Sequence, residues 1–413
     1  MKQGYLSQYF EGVALKRLSA VEADVIRSNQ HEFNGVEGLR DILGEPDGKV
    51  RFTATFLYLT DQDDEPIVVE DGFLTWYDAR QKARLERGVM RWEYRLYFPT
   101  NLVSQCAAAG DLLVIAKRSD DTLLAIVAEK DTTIERQIMW LFGFSDLTHP
   151  GFSVKSELET EQDRIGFAAR VVLEQIGVEA EEEAPNYLDQ MLAKFNGAFP
   201  KTIEFSAYAR GTIRDLSSHD DPDAALVAWM EREEILFRTL EKHLLGEKLR
   251  SLTQAGIEDT EPFIKLVQSA LQRRKSRAGS ALENHLEQVF TDHGVTYTRT
   301  GVTEKNLKPD FIFPGIPHYH DAAFPQTRLT MLASKSTCKD RWRQILNEAE
   351  RIPHKHLLTL EPSISENQTE EMKAERVQLV LPRGLHSTYT PAQQAWLMDV
   401  AAFTGLARQR QTA

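Results

Sequence analysis

The chain has 413 residues, 42% of them hydrophobic and 27% charged, and 49 Lys+Arg against 62 Asp+Glu leave a net charge of −13. This is the balance of a globular protein of two or three domains, and it excludes a disordered tail, a fibrous repeat and a disulfide scaffold. No apolar run approaches the roughly 20 residues that span a bilayer, and the first residues lack the apolar core of a secretory signal.

Up to about residue 150 the chain reads as β-rich. Val50–Leu59 has near-alternating apolar positions, Trp92–Phe98 is a second strand, and Leu112–Ala116 and Leu123–Ala128 form a hairpin across the turn Arg118–Asp121. Short strands at this spacing suggest a small barrel or sandwich. Residues 151–200 are acidic at Ser156–Asp163 and Glu179–Glu183 and read as a helical linker. From residue 201 helices lead. Ala224–Leu245 carries Leu226, Trp229, Met230, Leu236, Phe237, Leu240 and Leu244 on one face, with Gly246 as its expected stop. Ser276–His293 is a further helix. Phe311–Phe313, Leu329–Ala333, Leu357–Leu360 and Val377–Leu381 are short strands, and Arg341–Ile352 and Pro391–Thr404 are helices. The expected architecture is multidomain: a β-rich module over 1–150, the linker, and an α/β domain over 201–413 with a central mixed sheet. Cys106 and Cys338 lie far apart and read as free thiols in a reducing cytoplasm.

Chemistry concentrates in the α/β part. Asp310, in Lys308-Pro309-Asp310, heads one strand, and Lys335 ends the next. A carboxylate and a lysine on adjacent strands suit metal-assisted phosphodiester hydrolysis. The carboxylate holds Mg²⁺, a hard ion that takes oxygen ligands, and the lysine orients water and stabilises developing charge. The PD-(D/E)XK pattern of nucleases places an acid two residues before the lysine, where this chain has Ala333. Glu348, on the helix that follows, is the candidate for the displaced acid. Lys339, Asp340 and Arg341 can read bases: arginine is bidentate to guanine, and aspartate accepts from cytosine N4. A second basic cluster, Arg273, Arg274, Lys275 and Arg277, precedes the helix with Glu283. Two such clusters around a carboxylate site look like a DNA cleft in an otherwise acidic chain. His318, His320, His354 and His356 have no cysteine at zinc spacing.

Residues 273–348, with RRKSRAG, LEQVF, KPDFIFPG and above all CKDRWRQILNEA, resemble the catalytic domain of EcoRII-type type II restriction endonucleases, members of the PD-(D/E)XK superfamily. Weaker likeness extends forward: Ala14–Ala20 and His31 resemble that family's N-terminal effector domain, a DNA-binding pseudobarrel like those of certain plant transcription factors. The resemblance implies that Asp310 is the metal aspartate, Lys335 the active-site lysine and Glu348 the displaced acid. It implies a second lysine at Lys339, a participating tyrosine at Tyr319, and Glu283 as a helix carboxylate that tunes the metal site. Candidates for the effector-DNA cleft are Lys16, Arg17, His31, Trp76, Tyr77, Arg80, Lys82, Arg84, Arg87 and Arg91, since the basic run from Arg80 to Arg91 fits phosphate contact. The implied function is Mg²⁺-dependent cleavage of double-stranded DNA by a homodimer at a short CC/GG-containing site, with CC(A/T)GG as the candidate. A second copy of the site, bound by the front domain, would regulate cleavage, and a cognate DNA methyltransferase is the expected genetic partner. Two alternatives stand beside this: a structure-selective repair or junction nuclease of the same fold, and a DNA-binding regulator whose nuclease domain is inactive for want of an acid at Ala333.

Overall fold

The structure is a computed structural model that describes residues 4–24, 31–62, 68–88, 90–180, 185–214, 216–254 and 260–412; the side chains of residues 185, 339 and 340 lie outside the description. The chain divides into two compact units, Met1–Ala180 with Pro362–Gln368, and Glu181–Glu361 with Thr369–Ala413.

The described residues of the first unit build an eight-stranded sheet. Its strands are β1 (Phe10–Arg17), β2 (Glu32–Asn34), β3 (Lys49–Leu59), β4 (Val68–Asp78), β5 (Tyr94–Tyr97), β6 (Leu112–Arg118), β7 (Leu123–Ala128) and β8 (Ser153–Lys155), in the order β2-β5-β4-β3-β7-β6-β1-β8. All neighbours are antiparallel except β3 and β7. Leu112–Ala116 of β6 and the whole of β7 are unbroken apolar runs because both of their faces are covered. Alternate side chains point to opposite faces. Leu112, Val114, Leu124 and Ile126 enter one core with Ile134 and Ile138 of α2 (Thr133–Leu141) and Val172 and Leu173 of α3 (Phe167–Gln175). Leu113, Ile115, Leu123 and Ala125 enter the other with Phe33, Phe52, Leu74, Trp76 and Leu96. The sheet curls around this second core, so that Phe33 of β2 meets Phe152, beside β8, edge to face at 6.2 Å. The segment Pro362–Gln368 is tied to α2: Gln137 Nε2 donates to the Pro362 carbonyl at 3.0 Å, and the Ser365 N–H donates to Thr133 Oγ1 at 3.2 Å.

Two expectations are corrected in this unit. Residues 151–180 are not a linker: Val172, Leu173 and Ile176 are fully buried in the first core, and Asp163 is a buried partner of Lys155 at 2.6 Å. Glu157, Glu159 and Glu161 mark the wet side of packed elements while Asp163 turns inward, and the densest part of the acidic run, 181–184, lies outside the described residues. β4 was also not anticipated. Ten of its eleven residues pair with β3, from Tyr77↔Lys49 to Val68↔Tyr58.

The second unit carries a five-stranded mixed sheet, in the order β13-β12-β11-β10-β9: β9 (Thr298–Arg299), β10 (Phe311–Phe313), β11 (Thr330–Lys335), β12 (Lys355–Thr359) and β13 (Val377–Val380). β9, β10 and β11 are antiparallel, and β11, β12 and β13 are parallel. Helices α4 (Thr202–Gly211), α5 (Pro222–Gln254) and α6 (Glu261–Asp292) pack around Phe205, Leu236, Phe237 and Leu240. Phe290 of α6 joins the sheet, edge to face with Phe311 at 5.3 Å and Phe313 at 5.1 Å. α5 passes through Gly246 without stopping. A mid-helix glycine costs only about 1 kcal/mol, which flanking turns can carry. The helix expected over Arg341–Ile352 is a 3₁₀ helix, Lys339–Asn347, followed by Ala349 at φ +48°. The helix expected over Pro391–Thr404 splits into α7 (Pro391–Gln394) and α8 (Val400–Thr412) because the backbone of Met398 pairs with Leu379 and Leu381.

Trp76, expected at a DNA cleft, is fully buried, and its Nε1–H donates to the Gly44 carbonyl at 3.0 Å. Trp76→Ala should therefore destabilise the first unit by about 3–5 kcal/mol, the usual loss for emptying an aromatic site. A denaturant titration checks it; an unchanged midpoint with weakened DNA binding would restore Trp76 as a contact residue.

Candidate active site

β10 and β11 bring the key residues together. Phe311 lies opposite Leu332, so Asp310, one residue before β10, comes beside the end of β11. One carboxylate oxygen, Oδ2, accepts from the Ser334 N–H at 2.7 Å, from Ser334 Oγ at 3.4 Å and from Lys335 Nζ at 3.3 Å. The Asp310 carbonyl accepts from the Thr300 N–H at 3.0 Å, which ties it to the end of β9. Backbone bonds on both sides thus set the position of the aspartate.

Glu348 follows the 3₁₀ helix and is half-buried, and its Oε2 has no hydrogen-bond partner among the described residues. Burial pushes its carboxyl above the usual range; the positive charge of Lys335 opposes that rise, and the negative charge of Asp310 adds to it. Glu283 of α6 behaves alike: burial raises it, Asp310 raises it further, and hydrogen bonds from Arg299 pull it down. Arg299 Nε and Nη2 donate to Glu283 Oε2 at 3.0 and 2.7 Å. Asp310, Lys335, Glu348 and Glu283 therefore share one electrostatic neighbourhood. Among the described residues no three His, Cys, Asp or Glu side chains close on one point as a finished metal cage. The donor set nonetheless fits a hard cation. It consists of carboxylate oxygens that repel one another, and one of those oxygens is buried without a partner.

Other expected site residues are placed elsewhere. Tyr319 is buried, donates its hydroxyl to Glu304 at 2.6 Å and accepts from the Arg351 N–H at 3.2 Å, which makes it a structural tie and not part of the Asp310 centre. Arg277 is buried over the Phe237 ring at 4.3 Å, paired with Glu233 at 3.5 Å and with Glu234, so it is withdrawn from DNA. Arg274 pairs with Glu241 at 2.7 Å, and Arg273 stacks over Phe199 at 4.2 Å; Lys275 is exposed. The second basic cluster is thus largely a seam between α5 and α6. The Arg341 N–H donates to the Cys338 carbonyl at 2.8 Å, whereas the side chains of Lys339 and Asp340 lie outside the described residues.

In the first unit Lys16 is buried and paired with Glu22 at 2.5 Å, which removes it, like Trp76, from any DNA surface. Arg17 pairs with Glu135, Arg80 with Glu93 at 2.5 Å, and Arg84 with Asp78 while lying 3.2 Å over the Trp92 ring. Tyr77 donates to Glu32, and burial first, then Glu32, pushes its hydroxyl up to about 12. His31 is half-buried against Tyr97 and Phe98. Lys82, Arg87 and Arg91 are exposed, the first two on α1 (Gln81–Arg87) and its end, and Lys82 reaches Glu86 only at 3.9 Å. Of the four histidines near the centre, His320 bonds the Val302 carbonyl at 3.0 Å, and His356 is buried against Phe403, its ring pushed down to about 4 by burial. Sequence reasoning missed Ser334, Arg299 and Lys355. Ser334 and Arg299 act through residues 24 and 16 positions away, and Lys355 acts on nearby main-chain carbonyls that no side-chain pattern marks.

Residues 237–404, which include Asp310, Lys335 and Glu348, match the family model described as EcoRII C terminal. This segment is thus similar to the C-terminal domain that the model describes. The chain is 43% identical over 207 residues to the type II restriction enzyme EcoRII of Escherichia coli, an alignment that covers 50% of this chain and 50% of that protein. It therefore spans about half the length of the curated relative it matches. Among solved structures, metal-depleted Ecl18kI in complex with uncleaved, modified DNA aligns with 18% identity and a TM-score of 0.46 over 56% of this chain and 86% of that one. The restriction endonuclease PspGI–substrate DNA complex aligns with 16% identity and a TM-score of 0.44 over 52% and 94%.

Because the carboxyls of Glu348 and Glu283 sit above the usual range, protons compete with a cation there as pH falls. If these carboxylates hold a divalent cation, its concentration for half-saturation should rise between neutral and mildly acidic pH, measured by metal titration. A requirement that stays flat over that range would remove both carboxylates from the metal site.

Proposed function

We propose that the protein is a Mg²⁺-dependent, site-specific DNA endonuclease of type II that hydrolyses phosphodiester bonds at a short CC/GG-containing site, with CC(A/T)GG as the candidate. The observation that carries this reading is the Asp310 carboxylate, held by Ser334 and Lys335, beside a half-buried Glu348 whose second oxygen has no partner. It is supported by the 43% identity to a type II restriction enzyme over the half that contains these residues. Asp310 and Glu348, aided by Glu283, would hold the ion, which when bound neutralises phosphate charge and makes water a better nucleophile. Lys335 Nζ orients that water and stabilises the charge that develops on the phosphate. The water oxygen bonds to phosphorus, the bond to the 3′ oxygen breaks, and a 5′-phosphate and a 3′-hydroxyl remain. Glu348 answers the objection that Ala333 leaves the centre inactive. Lys339, Asp340 and Arg341 follow the catalytic strand directly and are proposed to read G·C pairs, which favours a sequence-specific nuclease over a structure-selective one.

The functional form is proposed as a homodimer, in keeping with the symmetry of such sites. Phe263, Ile264, Val267 and Leu271 of α6 and Leu249 of α5 are exposed apolar side chains that suit a second copy. The first unit is proposed as a DNA-binding pseudobarrel for an effector copy of the site, with Lys82, Arg87 and Arg91 as its exposed cations. Among the described residues no helix is long and apolar enough to cross a membrane.

Asp310→Ala, Lys335→Ala and Glu348→Ala should each lower Mg²⁺-dependent cleavage of site-containing DNA by roughly a hundredfold or more, with binding to the same duplex kept. Substantial cutting by Asp310→Ala would end the assignment, and full activity in Glu348→Ala would return the acid's role to Glu283.

Effector control predicts that the full chain cuts single-site DNA slowly and is stimulated by a short duplex with the same site. A fragment starting at Glu181 should cut single-site DNA faster and ignore the added duplex. A start at residue 200 would cut away Met191, which is fully buried among Phe205, Leu236 and Phe237. Full-speed cutting of single sites by the whole chain would instead make the first unit an added DNA grip.

A further inference from the structure

The reading of Glu348 as the displaced acid raises a physical problem that Lys355 answers. An acid on β11 would be positioned by the sheet, but β11 offers Ala333, which is fully buried. Glu348 instead comes from an irregular stretch. The 3₁₀ helix ends at Asn347, and Ala349 takes a left-handed φ of +48°, which a residue with a Cβ adopts only when its surroundings enforce it. Local backbone bonds there are few: the Glu348 N–H donates to the Ile345 carbonyl at 3.0 Å, and the Ile352 N–H donates to the Ala349 carbonyl at 2.8 Å.

The stretch is closed from within by Lys355. Its Nζ donates to the carbonyls of Glu348 at 2.6 Å, Ala349 at 3.3 Å and Ile352 at 3.1 Å, which uses all three ammonium protons on one turn of backbone. Lys355 is buried, and the carboxylates of Glu348, Glu304 and Glu350 act on it through space against the cost of that burial. It stands at the start of β12, paired with Val377 of β13, and its own N–H donates to the Arg376 carbonyl at 3.1 Å. Taking a cation out of water is costly, and the hydrogen bonds that the ammonium needs come from these carbonyls. A neutral apolar residue would fill the volume but could not gather three carbonyl oxygens to one point.

We infer that Lys355 is a positioning residue for metal binding: its ammonium winds residues 348–352 around itself and so holds the Glu348 carboxylate at the Asp310–Lys335 centre. It reaches neither substrate nor ion. It supplies from the neighbouring strand the order that β11 would give an acid at position 333.

The test is Mn²⁺ binding to the full chain without DNA, followed by the electron paramagnetic resonance of free Mn²⁺, with duplex binding in chelator as a control on folding. Lys355→Met should weaken Mn²⁺ binding roughly tenfold or more, the usual effect of removing an outer partner of a metal site. Glu348→Gln should lose a similar factor. Lys355→Met combined with Glu348→Gln should bind within about twofold of Glu348→Gln alone, because the lysine acts only through that carboxylate. Metal-free duplex binding should stay unchanged in all three. Lys355→Arg keeps the charge, but a planar fork cannot aim three donors at one turn; it should lose affinity by a smaller factor, and it serves if the methionine variant does not fold. Parent-like Mn²⁺ affinity in Lys355→Met or Lys355→Arg overturns the inference, as does a double variant in which the two losses multiply. If Glu348→Gln itself binds Mn²⁺ like the parent, the displaced-acid reading fails, and the role of Lys355 fails with it.

Discussion

One oxygen of Asp310 joins the ends of two strands. It receives the Ser334 N–H and Lys335 Nζ, so the carboxylate is part of the sheet's hydrogen bonding as well as of the site. The antiparallel register of β10 and β11 brings position 310 beside position 334, and a one-residue slip would turn Lys335 to the other face. That register is in turn held by the Phe290, Phe311 and Phe313 cluster, which presses α6 on the sheet and brings Glu283 to the same edge.

Around this point the charges come in pairs of different kinds. Lys335 faces Asp310 directly, Arg299 holds Glu283 by two hydrogen bonds, and Lys355 holds the backbone of Glu348 while leaving its carboxylate free. Arg299 also reaches Asn284 at 2.9 Å and Glu287 at 3.2 Å, so the helix carboxylate is restrained from several sides. The result is one carboxylate anchored by backbone, one neutralised by an arginine and one with an unpartnered oxygen. On the proposed reading, a cation bound at a centre of that composition would relieve repulsion already present in the folded chain.

The strands at the heart of the site were legible because burial on both faces leaves unbroken apolar runs: FIF of β10 and MLA within β11 are wholly buried. The Asp310–Lys335 meeting was legible for the same reason, since each residue borders such a run. The basic residues misled where their acids lie far away in sequence. Arg277 meets Glu233 44 positions back, and Arg274 meets Glu241 33 positions back, which no local window shows. Lys16 and Trp76 misled differently: a cation and an aromatic in a β-rich stretch suggest a DNA surface, but both fill the sheet's interior. The 3₁₀ helix before Glu348 was hidden because its apolar spacing, Trp342 and Ile345, fits an α-helix as well; the ammonium of Lys355 that takes up the following turn is seen only in three dimensions.

The central claim is that Asp310, Lys335 and Glu348 form one metal-dependent centre. It is tested most directly by a crystal structure of the full chain with a site-containing duplex and Mn²⁺, under conditions that block cutting, with the ion located by its anomalous scattering. The account predicts an ion bound by Asp310 and Glu348 next to the scissile phosphate, with Lys335 Nζ turned to that phosphate. An ion held by Glu283 and Glu287 instead, with the Glu348 carboxylate turned away, would contradict it.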